Sequence, residues 1–82
     1  MITRTKRQQL EDEIRELLAE QMGMDAGEIT SNASLVDDLG LDSVDIMEIV
    51  VVYEEKHGVE IDDDRLDNVT TFAQLAEALG GK

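Results

Sequence analysis

The sequence has no cysteine, which excludes a disulfide framework and a thiolate metal site. It has no apolar run long enough for a membrane-spanning helix. Met1-Ile2-Thr3-Arg4-Thr5-Lys6-Arg7 lacks the apolar core of a signal peptide. The lack of cysteine fits a cytoplasmic protein. Aromatic residues are nearly missing, with one Phe and one Tyr. The core is therefore built from Val, Ile, Leu and Met, and opens between helices more easily than one locked by rings. Bases are scarce: seven Lys+Arg face 20 Asp+Glu, a net charge of −13. Arg4, Lys6 and Arg7 cluster at the start, so the remainder is more acidic still. Such a field repels nucleic acid and anionic membranes and favours basic protein partners. The same charge also serves solubility, and its self-repulsion makes stability rise with salt. A chain of 82 residues makes one small domain, 1–82, with 1–4 and 80–82 as flexible tails. A monomer is expected.

The informative stretch is Asp37-Asp38-Leu39-Gly40-Leu41-Asp42-Ser43-Val44. It reads as a tight turn into a helix N-terminus. Gly40 permits a positive φ. Asp42 is a good N-cap, and Asp45 falls in the first turn. Ser43 then takes the first helical position, its hydroxyl exposed at the positive end of the helix dipole. A phosphate ester there gains roughly 0.3–1 kcal/mol from that field. Ser43 is poorly placed as a nucleophile in its own right, which needs a base within hydrogen-bond reach. The single histidine, His57, lies on the same helix, roughly 21 Å along it at 1.5 Å per residue. Without a nearby base, a Gly-rich phosphate loop or a cluster of metal ligands, the chain is not expected to be an enzyme. The serine is one that another protein modifies.

Asp38-Leu39-Gly40-Leu41-Asp42-Ser43-Val44 resembles the Asp-Leu-Gly-x-Asp-Ser-Leu motif of acyl carrier proteins. The likeness extends from about Lys6 to Leu79. It includes Ser31-Asn32-Ala33-Ser34 before the motif and Val69-Thr70-Thr71 after it. The resemblance implies that Ser43 accepts 4′-phosphopantetheine from coenzyme A, through a phosphopantetheinyl transferase. It also implies an arm that carries acyl groups as thioesters between acyl-transferring, condensing or tailoring enzymes. Fatty acid, polyketide and lipid-modification systems all use such carriers. Peptidyl carriers usually show Gly-Gly-x-Ser rather than Leu41-Asp42-Ser43, so the acyl type fits better. A carrier domain of a polyketide or peptide synthase and an unmodified acidic helical adaptor are the alternatives.

The fold class expected is all-α: a small four-helix bundle, three longer helices plus one short one, with a long loop after the first. The first helix spans 5–22, opened by a capping box at Thr5-Lys6-Arg7-Gln8 and stopped at Gly23. Leu10, Ile14, Leu17, Leu18 and Met22 form its apolar face. Residues 23–41 form a connection pinned by Ile29, Leu35, Val36, Leu39 and Leu41. The last helix, 72–79, starts with a second capping box, Thr71-Phe72-Ala73-Gln74, and ends at Gly80-Gly81.

The second helix, 43–57, has two apolar faces. On a wheel of about 100° per residue, Ile46, Ile49, Val50, Tyr53 and His57 share the core side. Val44, Met47 and Val51 lie apart, flanked by Glu48 and Glu55. Such a helix in a small domain has no second core to face. These three residues are therefore expected to be an exposed patch with Asp42, Asp45, Glu48 and Glu55 as an acidic rim, which docks enzymes with basic patches. The family presents the same helix to its partners. The alternative is that the three pack on the long loop. Ile49-Val50-Val51-Val52-Tyr53 also favours strand, but the cap, the flanking acids and the lack of a second strand favour helix.

Residues 58–70 read as a turn, a brief extended piece and a short third helix near 63–67. The acidic run from Asp62 fails the EF-hand pattern, with Asp67 where Gly is needed and Ala73 where Glu is needed, so no specific metal site is expected. A space between the second helix and Ile61, Leu66, Val69 and Leu75, lined also by Ile46, Val50 and Tyr53, is expected to admit a fatty chain, as in the family. Three positions depart from the family pattern: Val44 for Leu, Asp62 for Pro, and His57 for an aromatic. His57 is expected to be a half-buried structural residue. The alternative is a pH-sensitive plug whose protonation loosens the bundle.

Overall fold

A computed structural model describes residues 5–80. Three α-helices are present, α1 (Lys6–Met22), α2 (Ser43–His57) and α3 (Phe72–Gly80), with single 3-10 turns at Ala26–Glu28 and Asp63–Leu66. No strand occurs among the described residues; Ser34 and Thr71 make one isolated antiparallel bridge.

The helix ends follow the capping residues. Thr5 accepts from the Gln8 N–H, and the Gln8 side chain returns to the Thr5 N–H, which closes a reciprocal box at the start of α1. Asp42 and Asp45 do the same for α2, and Thr71 and Gln74 for α3. Gly23 and Gly58 end α1 and α2 in the left-handed conformation.

Helix α1 is the spine, against which α2, α3 and the first 3-10 turn all pack. Ile14, Leu18, Ile49, Phe72 and Leu75 are completely buried between them. Helices α2 and α3 each pack more extensively on α1 than on one another. Side chains fill the interval between them.

Three expectations are corrected. The short third helix is only a four-residue 3-10 turn. Asp62 makes no side-chain cap there, and Asp67 and Val69 bond back three residues, to Asp64 and Leu66. Val36 does not pin the loop: it is 61% exposed, while Leu35 and Leu41 are buried. The Leu41 N–H donates to the Leu35 carbonyl, and that turn directs both leucines inward and leaves Val36 outside. The last helix extends one residue beyond the expected 79, and Gly80 is part of it. It is the last residue of α3, and a Cβ there would overlap the Leu10 side chain, so its missing side chain lets α3 lie on α1. Residues 1–4 and 81–82, the rest of the expected tails, lie outside the described residues.

The long connection is held by a charge relay. Arg15 on α1 donates to the Ile29 carbonyl at 2.6 Å and to Asp12 at 2.9 Å, and its guanidinium sits 5.0 Å from the Phe72 ring centroid. The Ser31 hydroxyl donates to Glu11 at 2.6 Å. The loop is thereby tied to α1 and α3 at once.

Candidate attachment site at the start of α2

The turn before α2 is assembled from paired segments. The Leu35 N–H donates to the Thr70 carbonyl, and the Phe72 and Ala73 N–H groups donate to Ala33 and Ser31. The stretches 31–35 and 70–73, far apart in sequence, thus brace one another. Within the turn the Asp38 carboxylate accepts from the Ser34 N–H at 2.7 Å, and the Asp38 and Leu39 N–H groups donate to the Ser34 carbonyl. Gly40 then takes φ +69°. An alanine Cβ would meet nothing within 4 Å there, so the cost of Gly40→Ala is that of the left-handed backbone alone, about 1–2 kcal/mol. A lowered thermal midpoint with unchanged helical content is the expected outcome.

Leu41 is buried and anchors the end of the turn. Asp42 follows in extended conformation, and its carboxylate accepts from the Asp45 N–H at 2.9 Å. This fixes Ser43 as the first residue of α2, exposed to solvent. Its hydroxyl makes no hydrogen bond among the described residues. The chain's other two serines are engaged: Ser31 donates to Glu11, and Ser34 accepts from the Asp37 N–H.

Along α2, Val44 is 62%, Met47 43% and Val51 45% exposed. They do not pack on the loop. With Ser43, Glu48, Val52 and Gln21 of α1 they line an open groove of about 540 Å³. Asp42, Glu48 and Glu55 are exposed around it, and Asp45 is half-buried through its capping contact. Gln21 and Val52 were not legible as site residues. Gln21 is one polar residue among several near the end of α1, and only the packing of the helices brings it beside α2.

On the opposite side of α2, Val50, Tyr53 and Leu75 are buried, and Ile46, Ile61, Leu66 and Val69 are partly buried against them. These seven residues belong to one continuous apolar cluster. Burial, and then Glu13, raise the Tyr53 phenol above its ordinary pKa. His57 is not a plug in this cluster. Its side chain is 36% exposed; the ring stacks on Tyr53 at 4.3 Å, and Nε2 lies 2.5 Å from Glu13 of α1, where Lys56 also arrives at 3.5 Å. The imidazole therefore joins α1 to α2 at the rim of the bundle, through Glu13 and the Tyr53 ring.

Among the described residues, no group of three or more His, Cys, Asp or Glu side chains is placed to hold a metal ion. No helix among them is long and apolar enough to cross a membrane.

The phosphopantetheine attachment site family matches residues 12–79. Its members are carriers without catalytic activity, and bear a covalently attached 4′-phosphopantetheine. The residues present fit that group. An exposed, uncommitted hydroxyl stands at a helix N-terminus, where the first backbone N–H groups and the dipole favour a phosphate, and an open groove with mostly apolar lining lies beside it. The matched span takes in the turn, the cap and α2 together, and the chain belongs to this family of phosphopantetheine-bearing carriers.

Proposed function

We propose that the chain is an acyl carrier protein whose arm is attached at Ser43. One observation carries this: of the three serines, only Ser43 offers an exposed hydroxyl free of hydrogen bonds at a helix N-terminus. When bound, the arm supplies a thiol that holds acyl groups as thioesters. The chain's own residues hold its root: Gly40 and Asp42 fix the turn, and the start of α2 faces the phosphate. Mapping of the loaded protein by proteolysis and mass spectrometry is expected to place the adduct on the peptide containing Ser43. An adduct on Ser31 or Ser34 would overturn the assignment. Leu41-Asp42 before the serine favours an acyl over a peptidyl carrier, of fatty acid or polyketide type.

Val44, Met47 and Val51, with the rim of Asp42, Asp45, Glu48 and Glu55, form the docking surface in this reading. A partner, first the phosphopantetheinyl transferase and then the acyl-handling enzymes, brings Arg or Lys around a shallow apolar depression. Charge speeds the encounter and apolar contact holds it briefly. Glu48→Lys with Glu55→Lys is expected to lower kcat/KM for loading about tenfold at low salt and less at high salt. Glu60→Lys with Asp63→Lys makes the same change in net charge away from this face, and is expected to cost under about twofold. Equal effects of the two pairs would contradict a localised surface.

The interval between α2 and α3 is the proposed shelter for the acyl chain. Ile46, Ile61, Leu66 and Val69 fill it without being fully buried, and Val50, Tyr53 and Leu75 form its floor. Flexible aliphatic side chains there can part to admit a chain.

A further inference from the structure

The groove beside Ser43 lies on the outer side of α2, toward α1, and not on the side of the aliphatic interval. Its lining is Val44, Met47, Val51 and Val52, with a single amide, Gln21, and one carboxylate, Glu48. We infer that the unacylated arm itself rests in this groove, and that a docking enzyme must displace it. This rests on attachment at Ser43.

Three observations select the arm as occupant. The groove begins at the attachment residue, so the arm is tethered at its lip and needs only weak contacts, because tethering sets its effective concentration. From Ser43 to Val52 the helix rises about 14 Å at 1.5 Å per residue, a distance that a phosphodiester followed by two amide-linked segments can span. The polarity also matches: the paired methyl groups next to the phosphodiester fall where Val44 and Met47 are exposed, and a mid-chain amide falls within reach of an α1 side chain that both donates and accepts. The acidic rim does not oppose this placement, since the arm beyond its phosphate is uncharged.

The consequence is a coupling between docking and delivery. The same Val44, Met47 and Val51 that a partner covers are those on which the arm lies. An enzyme that takes the patch expels the arm and frees the thiol. An undocked carrier keeps its thiol against apolar side chains, where it is less open to reagents.

The test is methyl and side-chain amide NMR on loaded protein, its single adduct first verified by mass. The expected result is cross-peaks between the arm's paired methyl groups and the Met47 methyl, with a shifted Gln21 side-chain amide. Val44→Gln with Val51→Gln, both at exposed positions, keeps the Met47 methyl as the reporter; it is expected to abolish the cross-peaks and make the thiol react about threefold faster with a maleimide, the factor for an arm bound two-thirds of the time. Verified loading with Gln21, Met47 and Val51 signals unmoved would overturn the inference and leave the carrier reading intact. So would shifts confined to Ile61, Leu66, Val69 and Leu75. A folded protein that gains no mass would overturn both.

Discussion

Phe72→Ala is expected to remove about 3–5 kcal/mol of stability. A chain of this length has roughly 4–12 kcal/mol in all, so the variant is expected to sit near its unfolding midpoint at ambient temperature. Phe72 is the single phenylalanine and is completely buried. The one other ring of the core, Tyr53, is stacked on His57, and the remaining core residues are aliphatic. The loss also spreads beyond volume. The Phe72 ring lies beneath the Arg15 guanidinium, which holds the Ile29 carbonyl and, through Asp12, stays on α1. These contacts tie the connection before α2 to α1 and α3, so the turn that presents Ser43 loosens with the core. Urea unfolding followed by far-UV circular dichroism measures the effect, with exposed Val59→Ala as a control expected to change stability by less than about 0.5 kcal/mol. A loss below about 1 kcal/mol for Phe72→Ala would contradict this description of the core.

The helices were legible because their ends are written in local chemistry. Thr5 with Gln8, Asp42 with Asp45, and Thr71 with Gln74 each satisfy backbone donors within four residues, and Gly23 and Gly58 supply the left-handed stops. The exposed face of α2 was legible for a related reason: helical periodicity can place one apolar stripe on the core, and Val44, Met47 and Val51 fall outside it. Features set by contacts distant in sequence were not. Nothing local to Arg15 announces that it will reach Ile29 and cover Phe72, nor that Ser31 will find Glu11. Gly80 read as a terminator because glycine often is one; its use as a contact for Leu10 depends on how α3 crosses α1. The partner of His57, Glu13, lies on the other helix, and it decides that the imidazole sits at the rim of the bundle. Short acidic segments such as Asp63–Leu66 carry turn signals that favour a 3-10 turn and a helix about equally, and four residues are too few to decide.

The proposed attachment of the arm at Ser43 has a direct consequence for a single substitution. The Ser43 hydroxyl makes no hydrogen bond among the described residues and is exposed, so Ser43→Ala removes no internal contact and is expected to leave stability unchanged within about 0.5 kcal/mol. It removes the one oxygen to which a phosphopantetheine can be esterified at the start of α2. In the proposed reading, loading at Ser43 depends on a transferase, with coenzyme A as donor. The most direct measurement is intact mass after incubation with coenzyme A, Mg²⁺ and a broad-specificity phosphopantetheinyl transferase. Wild type is expected to gain one phosphopantetheine, Ser34→Ala the same, and Ser43→Ala none while remaining helical. An adduct that persists on Ser43→Ala, or its absence from folded wild type, would contradict the account.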